Sequence, residues 1–220
     1  MREGAPMKDR TAPAQLGIVI YDGTEPIDVG GTVGVVSMAA RILPGLTATT
    51  IAAHPGPVHL AGGLTVLAQH GFADAPPCDV FVVCGGPGWG DQVLDPGMLT
   101  FLRRQPPTQV ASVCTGALIL AAAGLLDGLP ATTRRRTVGT EAQPPLSLLP
   151  SLGTDVHPCE ALVVDAGTVT GGGVSLAIDT TLYLIGRLYG TEARDEVADV
   201  LEYDRAWAAN RRALGIVTAA

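Results

Sequence analysis

A cysteine follows a short apolar run in the sequence SVCTGALILAAAG, which covers residues 112–124. Thr115 and Gly116 come directly after Cys114, and a long apolar segment then begins. Two interpretations of Cys114 are open. It is either a buried structural thiol, as free cysteines usually are, or a nucleophile presented by a sharp turn between a strand and a helix. The second interpretation predicts covalent catalysis, because a thiolate is a strong nucleophile.

A nucleophilic thiol at this position needs activation, since the ordinary pKa of cysteine is about 8.5. The N-terminus of a helix contributes at most about 2 kcal/mol toward ionisation. Further activation requires a hydrogen-bond donor or a positive charge. Thr115 rather than histidine follows Cys114, so a base cannot come from the adjacent position.

The elements that must position Cys114 alternate between strands and helices, which predicts an α/β fold with a parallel sheet covered on both faces. In such sheets, sites form beyond the carboxyl ends of the strands, where Cys114 is expected. The predicted strands cover 16–21, 47–53, 79–84 and 110–114, with hairpins at 54–69 (around Gly62-Gly63) and 161–170 (around Asp165-Ala-Gly). The predicted helices cover 26–41, 95–104, 115–126, 177–189 and 192–207.

The composition favours one well-packed globular domain that acts on a small molecule. Hydrophobic residues make up 47% of the 220 residues and charged residues 16%, which is enough apolar material for a sizeable core. The net charge of -7 argues against nucleic acid and anionic membranes as partners. No apolar run reaches the roughly 18 residues that a membrane span needs, and the first residues carry no signal-peptide pattern. We expect a cytoplasmic protein with a flexible tail over 1–15 and a single domain over 16–220.

A metal site is not indicated by the cysteines and histidines. The four cysteines form no CxxC pair, and the four histidines are scattered along the chain. In a reducing compartment these cysteines are expected to be free thiols. The loop CGGPGWG is rich in glycine but lacks the GxGxxG spacing of a dinucleotide site. No cofactor is therefore expected.

Four blocks of the sequence together resemble the ThiJ/PfpI superfamily, whose members are similar to class I glutamine amidotransferases. The blocks are YDGTEPIDVGG, VVCGGPG, SVCTGALILAAAGLLDGLPATT and VDAGTVTGGGVSLAIDTTLYLI. They are most similar to the isonitrile hydratase branch, in which Thr-Gly follows the cysteine. The resemblance runs from about residue 16 to 202. It implies a flavodoxin-like three-layer sandwich with a nucleophilic cysteine at the turn after a strand.

The resemblance implies roles for individual residues. Cys114 matches the nucleophile, Thr115 a second required residue, and Asp28 an acidic residue at the start of the first helix. A carboxyl group there can exchange a proton with the thiol or the substrate if burial raises its pKa. The alternative for Asp28 is a charge that balances the helix dipole. The N–H groups of Gly86 and Thr115 are candidate oxyanion donors, and Gly85 and Gly116 complete the glycine-lined pocket.

One departure from the branch concerns the pocket wall. After Ala-Thr-Thr the branch commonly continues with His-Trp, whereas this sequence has Arg134-Arg135-Arg136. The three arginines are either a solvated loop or, with Arg134 in the pocket, a basic wall for an acidic substrate. Asp179, in the last block, is interpreted as structural, and Cys84 as a core thiol.

The implied activity is the hydration of a small electrophile, with isonitrile hydratase, a hydro-lyase, as the leading reaction. Two alternatives stay open. The same Cys114–Asp28 pair can serve another substrate, such as a glyoxal or a biosynthetic intermediate, or the domain can be a non-catalytic ligand sensor. Regulators that carry this domain need about a hundred further residues for DNA binding, which argues against the sensor. The resemblance also implies a homodimer near the first helix, where Gly30, Gly31 and Gly34 permit close approach.

Overall fold

The computed structural model describes residues 7–219, and one eight-stranded sheet organises them. The strands are β1 (Ala14–Val19), β2 (Leu46–Ala52), β3 (Gly56–His59), β4 (Thr65–Ala68), β5 (His70–Gly71), β6 (Val80–Val83), β7 (Val110–Ser112), β8 (Pro130–Ala131), β9 (His157–Pro158), β10 (Val163–Ala166), β11 (Thr168–Gly171) and β12 (Ile216–Thr218). The helices are α1 (Pro26–Ala39), α2 (Trp89–Gln92), α3 (Pro96–Arg103), α4 (Gly116–Ala122), α5 (Pro145–Leu152), α6 (Ala177–Tyr189), α7 (Thr191–Val200) and α8 (Asp204–Leu214).

The sheet is largely parallel, as predicted for an α/β protein. Its order is β12-β10-β11-β7-β6-β1-β2-β5. Every pairing from β5 to β11 is parallel, and only β10 and β12 run against them. The strands β7, β6 and β1 are neighbours, so their carboxyl ends meet at one edge. This edge positions the loops that carry the predicted site.

The alternation of side chains along β6 shows the three layers of the fold. Val80 and Val82 join the core beneath α1, α6 and α7, whereas Phe81 and Val83 join the core beneath α3 and α4. All four side chains are buried, which explains why the strand reads as a continuous apolar run. The predicted flavodoxin-like three-layer sandwich is confirmed.

Both predicted hairpins are present, with glycine at the turns that require it. β3 pairs antiparallel with β4, and the connection contains Gly62 and Gly63 at positive φ. β10 pairs antiparallel with β11 through Gly167 at φ 95°, whose N–H donates to the Asp165 carboxylate. A left-handed backbone costs little at glycine, which is why the sequence indicates these turns.

The helix predicted over 192–207 is wrong, because two helices occupy this region. α7 ends at Val200 and α8 begins at Asp204. Between them Glu202 adopts a left-handed conformation at φ 53°, which ends the first helix. The apolar spacing continues across the break, so periodicity alone does not reveal it. The sequence patterns also do not indicate α5, α2 or the edge strand β12.

The boundary predicted for the N-terminal tail is two residues late, because β1 begins at Ala14. Residues 1–6 of the predicted tail lie outside the described residues. Within the described part, the Lys8 N–H donates to the Leu188 carbonyl at 2.8 Å, and the Lys8 ammonium pairs with Asp79 at 2.9 Å. This segment therefore contacts the domain. None of the helices within 7–219 combines the length and the apolar character that crossing a membrane requires.

Candidate active site

Three neighbouring strands bring the predicted site residues to one edge of the sheet. Asp28 lies in the first turn of α1, which follows β1. Gly85 and Gly86 follow β6, and Cys114 lies between β7 and α4. These residues are far apart in sequence, and the strand order β7-β6-β1 brings their loops together.

The backbone at Cys114 forms the sharp turn that the sequence predicts. Cys114 has φ 51°, a left-handed conformation that is costly for a residue with a side chain. Two long-range hydrogen bonds hold it there. Its N–H donates to the Gly172 carbonyl at 3.0 Å, and its own carbonyl accepts from the Thr133 hydroxyl. A strained residue fixed from both sides is typical of a nucleophile elbow.

Gly116 allows the helix after the elbow to lie directly on the neighbouring strand. A Cβ at this position would lie 2.1 Å from the Val83 carbonyl oxygen. The Gly116 N–H donates to the Val113 carbonyl at 3.0 Å. Gly116 therefore contributes close packing of α4 against β6, and its N–H is engaged away from the nucleophile.

Asp28 is a buried carboxyl group, and one of its two oxygens has no regular hydrogen-bond partner within residues 7–219. The side chain has no solvent exposure, and Oδ2 accepts a hydrogen bond from the Gly85 N–H at 2.7 Å. Oδ1 has no hydrogen-bond partner of regular geometry within residues 7–219. Burial raises the pKa of Asp28 to about 7, and the negative charge of Glu25 adds to this. The Gly85 N–H, the Cys114 thiol and the Arg134 charge act in the opposite direction.

The Cys114 thiol is also buried, with 3% of the residue exposed. Burial and the negative charge of Asp28 raise its pKa to about 12. The N–H and hydroxyl of Thr115 and the charge of Arg134 favour the thiolate but do not outweigh the burial. The N-terminus of α4 therefore does not by itself give a thiolate near neutral pH, and an ionised Asp28 opposes ionisation of the thiol.

Burial raises the pKa of both groups, so each favours its protonated form, and the two titrate as a coupled pair. Asp28 loses its proton near pH 7, while the thiol keeps its own until about 12. Between these values the Asp28–Cys114 pair holds one proton. Such a pair can move a proton between sulfur and carboxylate without exchanging it with solvent. This is the chemical capability of the site.

The two glycines after β6 fit closely around Asp28 and Thr115. A Cβ on Gly85 would lie 2.4 Å from the Thr115 nitrogen, so only glycine fits there. The Gly85 N–H is used by Asp28, and the Gly86 N–H donates to the Thr115 hydroxyl oxygen at 2.9 Å. Of the candidate oxyanion donors, Gly86 is thus already engaged, whereas the Thr115 N–H interacts with the Cys114 sulfur.

The three consecutive arginines separate into one inward and two outward side chains. The Arg134 side chain is 11% exposed, whereas Arg135 and Arg136 are exposed. The Arg134 stem packs over Gly173, where a Cβ would lie 3.6 Å from the Arg134 Cγ. The Arg134 guanidinium lowers the pKa of both Cys114 and Asp28. The solvated-loop interpretation fits Arg135 and Arg136, whereas Arg134 packs against Gly173 next to the elbow.

Three further residues contribute to the site, and of these the sequence predicts only Gly172, which with Gly171 and Gly173 is expected to pack beneath the elbow. Thr133 and Gly172 fix the elbow through backbone hydrogen bonds, and Glu141 binds the Arg134 guanidinium. Thr133 and Gly172 lie in two of the blocks that carry the resemblance, but nothing in those blocks indicates which atoms they bind. Glu141 lies in a polar loop without a motif. Within residues 7–219, no group of three or more histidine, cysteine or acidic side chains is arranged to hold a metal ion.

The chain is similar to known proteins in sequence and in fold. A model of the DJ-1/PfpI family matches residues 15–185. The isonitrile hydratase of Pseudomonas putida is 34% identical over 191 residues, which cover 86% of this chain and 78% of that protein. The HTH-type transcriptional regulator GbdR of Pseudomonas aeruginosa (strain UCBPP-PA14) is 28% identical over 209 residues, 92% of this chain but only 54% of the regulator. A THiJ/PfpI family protein from Pseudomonas syringae superimposes with a TM-score of 0.75 at 27% identity, covering 88% of this chain and 76% of that one.

Proposed function

Because this chain belongs to the DJ-1/PfpI family, we propose that it is a cofactor-independent hydratase that converts isonitriles into N-substituted formamides. The observation that carries the proposal is the pairing of a strained, buried Cys114 with the partly unpaired carboxyl group of Asp28. The 34% identity to an isonitrile hydratase supports the choice of reaction.

In the first step, the sulfur of Cys114 bonds to the terminal carbon of the isonitrile. The proton of the thiol passes to Asp28 and from there to the same carbon, which gives a thioimidate, R–N=CH–S–Cys114. Asp28 suits this transfer because its pKa is near neutrality, so that it both accepts and releases a proton readily.

In the second step, water adds to the thioimidate carbon while Asp28 accepts a proton from it. Asp28 passes this proton to the nitrogen of the tetrahedral intermediate. The carbon–sulfur bond then breaks as the added hydroxyl becomes the carbonyl, and the hydroxyl proton goes to sulfur, which releases the formamide and the free thiol. The Thr115 N–H, which already faces the sulfur, stabilises charge on this centre. Covalent catalysis thus divides one difficult hydration into two easier steps.

The experiment is turnover of a small alkyl isonitrile, combined with mass spectrometry of the protein during the reaction. We expect formamide production that needs no added metal, continues in the presence of a chelator, and shows a mass increase on the peptide with Cys114. Cys114→Ser should abolish both signals. Cys84→Ser is the matched control, because Cys84 is buried nearby but is not at the elbow. Absence of formamide with every isonitrile tried would rule out this reaction.

A second candidate is ligand sensing without turnover, which the similarity to GbdR favours. This chain spans about half the length of that regulator, so only the sensing role of the shared part is proposed for it. A sensor would bind a small electrophile or other ligand near Cys114 without product formation. Thermal stabilisation by the ligand in the absence of turnover would support it.

We also propose that the protein forms a homodimer through one face of α1. Ile27 is 51% exposed, and Cβ atoms at Gly30 and Gly34 would meet nothing within 4 Å. These residues share one helical face, whereas Gly31 packs against Ala177 of the same chain. Light scattering at micromolar concentration should give twice the 22.5 kDa mass of one chain. Ile27→Glu should give monomers, and a monomeric parent protein would overturn the dimer.

The cytoplasm is the compartment we propose for this enzyme. All four cysteines are free thiols, and a thiol-dependent mechanism requires a reducing environment. Cell fractionation with an antibody against the protein tests this placement.

A further inference from the structure

One ion pair connects an exposed loop to the side chain of Arg134, which packs next to the elbow. The Arg134 Nη1 donates to Glu141 Oε2 at 2.9 Å, and Nη2 donates to the other carboxylate oxygen. Such bidentate pairing fixes the plane of a guanidinium as well as its position. The Glu141 carboxylate is itself held by the Val138 N–H at 2.8 Å. The loop therefore presents a carboxylate in a fixed orientation to Arg134.

The stem of Arg134 is fixed from the other side by the elbow. It packs over Gly173, and the adjacent Gly172 carbonyl accepts the hydrogen bond from the Cys114 N–H. The preceding residue, Thr133, donates to the Cys114 carbonyl. Glu141 at one end and these contacts at the other hold the Arg134 side chain next to the elbow, where its positive charge lowers the pKa of the Cys114 thiol.

A neighbouring ion pair shows that this arrangement is not a general property of the loop. Arg135 pairs with Glu160, but the two side chains are 42% and 54% exposed. In the Arg134–Glu141 pair the arginine side chain is 11% exposed. Of the two successive arginines, Arg135 forms a solvated ion pair, whereas Arg134 forms an ion pair in which the arginine is largely buried.

We propose that Glu141 is a positioning residue that holds the Arg134 guanidinium against the Cys114 sulfur, where it supplies the cationic partner of the thiolate. The inference rests on the proposed role of Cys114 as the nucleophile. Burial and Asp28 both oppose ionisation of this thiol, so a positive charge nearby is what makes attack accessible near neutral pH. Thr115 provides only neutral donors.

Other ionisable groups also face the thiol and must be considered in the test. They lie on the elements that pack around it: Asp28 on α1, with Glu25 acting on Asp28, Tyr21 after β1 and Cys84 after β6. Tyr21 and Cys84 have strongly raised pKa values because they are buried, and so they stay neutral near pH 7. Asp28 is the one group of these three with a pKa near 7. The alkylation rates of the variants are therefore compared at several pH values.

The experiment measures the rate at which iodoacetamide alkylates Cys114, by peptide mapping, from mildly acidic to alkaline pH. Arg134→Met should lower the rate near pH 7 by about 10-fold, since hydrogen bonds to charged groups are the stronger class. Glu141→Gln should lower it by about 3-fold or more and move the profile to higher pH. The double variant should match Arg134→Met, because Glu141 acts only through Arg134. Arg135→Met and Glu160→Gln are the matched controls and should react like the parent protein.

Two outcomes would overturn the proposal. An unchanged profile in Glu141→Gln would mean that Arg134 stays in place without it, and a faster reaction would mean that Glu141 only neutralises the arginine. Circular dichroism and thermal melting confirm that each variant is folded, and the ultraviolet absorbance of the thiolate, referenced to Cys114→Ser, gives a second readout if the reagent reacts slowly. Because neither readout uses a substrate, failure of the hydratase assay does not affect the result.

Discussion

Asp28 and Asp179 occupy similar positions in the fold but have opposite hydrogen-bond environments. Each lies in the first turn of a helix, α1 or α6, and neither is exposed to solvent. Burial is the largest cause that raises the pKa of both. Asp179 accepts hydrogen bonds on both oxygens, from Asn210 on Oδ1 and from Asn210 and Tyr203 on Oδ2. Asp28 accepts one hydrogen bond of regular geometry on its side chain within the described residues, from Gly85.

Aspartate therefore serves two different purposes in this fold. The Asp179 carboxylate is saturated, and its partners connect α6 to α8 and to the residue between α7 and α8. A saturated carboxylate stabilises the packing of these helices and has no oxygen free for a reaction. The Asp28 carboxyl group keeps one oxygen without a regular partner among residues 7–219, next to a thiol. An unpaired buried polar atom is costly, and at Asp28 it leaves the group able to exchange a proton.

The largest expected effect is the loss of turnover in the variant Asp28→Asn. This substitution keeps the shape and the hydrogen bond from Gly85 but removes proton transfer. We predict a loss in turnover of roughly 100-fold or more, the scale of general acid–base catalysis. Asp179→Asn should turn over substrate at nearly the parental rate when folded. Near-normal turnover by Asp28→Asn, measured in the same assay, would mean that Asp28 only balances the helix dipole and does not transfer protons.

The next effect is on the pH dependence of stability. Because the pKa of Asp28 rises from 3.8 to about 7 on folding, the folded state binds the proton more tightly than the unfolded state. Stability contributed by the protonated group is therefore present below about pH 4 and is lost as the pH rises toward 7. Relative to Asp28→Asn, the parent protein should lose on the order of a few kcal/mol across this window. Urea unfolding of both proteins at several pH values measures the difference, and a constant difference would contradict the raised pKa.

Much of this comparison lies beyond what the sequence can predict. The strand at 79–84, the glycine turns and the elbow at Cys114 are predictable because they depend on local patterns of apolar residues and glycine. The role of Asp179 depends on Asn210, 31 residues away, and on a helix break at Glu202 that no glycine or proline marks. The Arg134–Glu141 pair likewise depends on the path of a loop. Local periodicity carries no information about which distant side chains meet.

A smaller effect is expected from Asp179→Asn on stability. Asparagine replaces one of the two accepting oxygens by an NH2 group. This group cannot accept the hydrogen bond that Asn210 or Tyr203 donates at that position, so one of these bonds is lost. We predict a loss of about 2 kcal/mol, because hydrogen bonds to a charged group are broken in a buried site. Denaturant unfolding at pH 8 measures it, with Asp199→Asn, an exposed position on α7, as the control. Stability equal to that of the parent would mean that Asp179 is not a structural counterpart to Asp28.

The smallest effect should come from Tyr203→Phe, which removes one donor from Asp179 and leaves the carboxylate in place. Asn210 still donates to both oxygens, at 3.2 and 3.1 Å, so the network is weakened and not broken. We predict a loss of about 1 kcal/mol in stability, the net value of one hydrogen bond, with turnover unchanged. The substitution also removes a donor from a carboxylate whose pKa burial already raises, so the pKa of Asp179 should rise further. Carbon-13 NMR of the Asp179 carboxyl group measures that pKa, and a pKa that does not rise would show that Tyr203 does not donate to it.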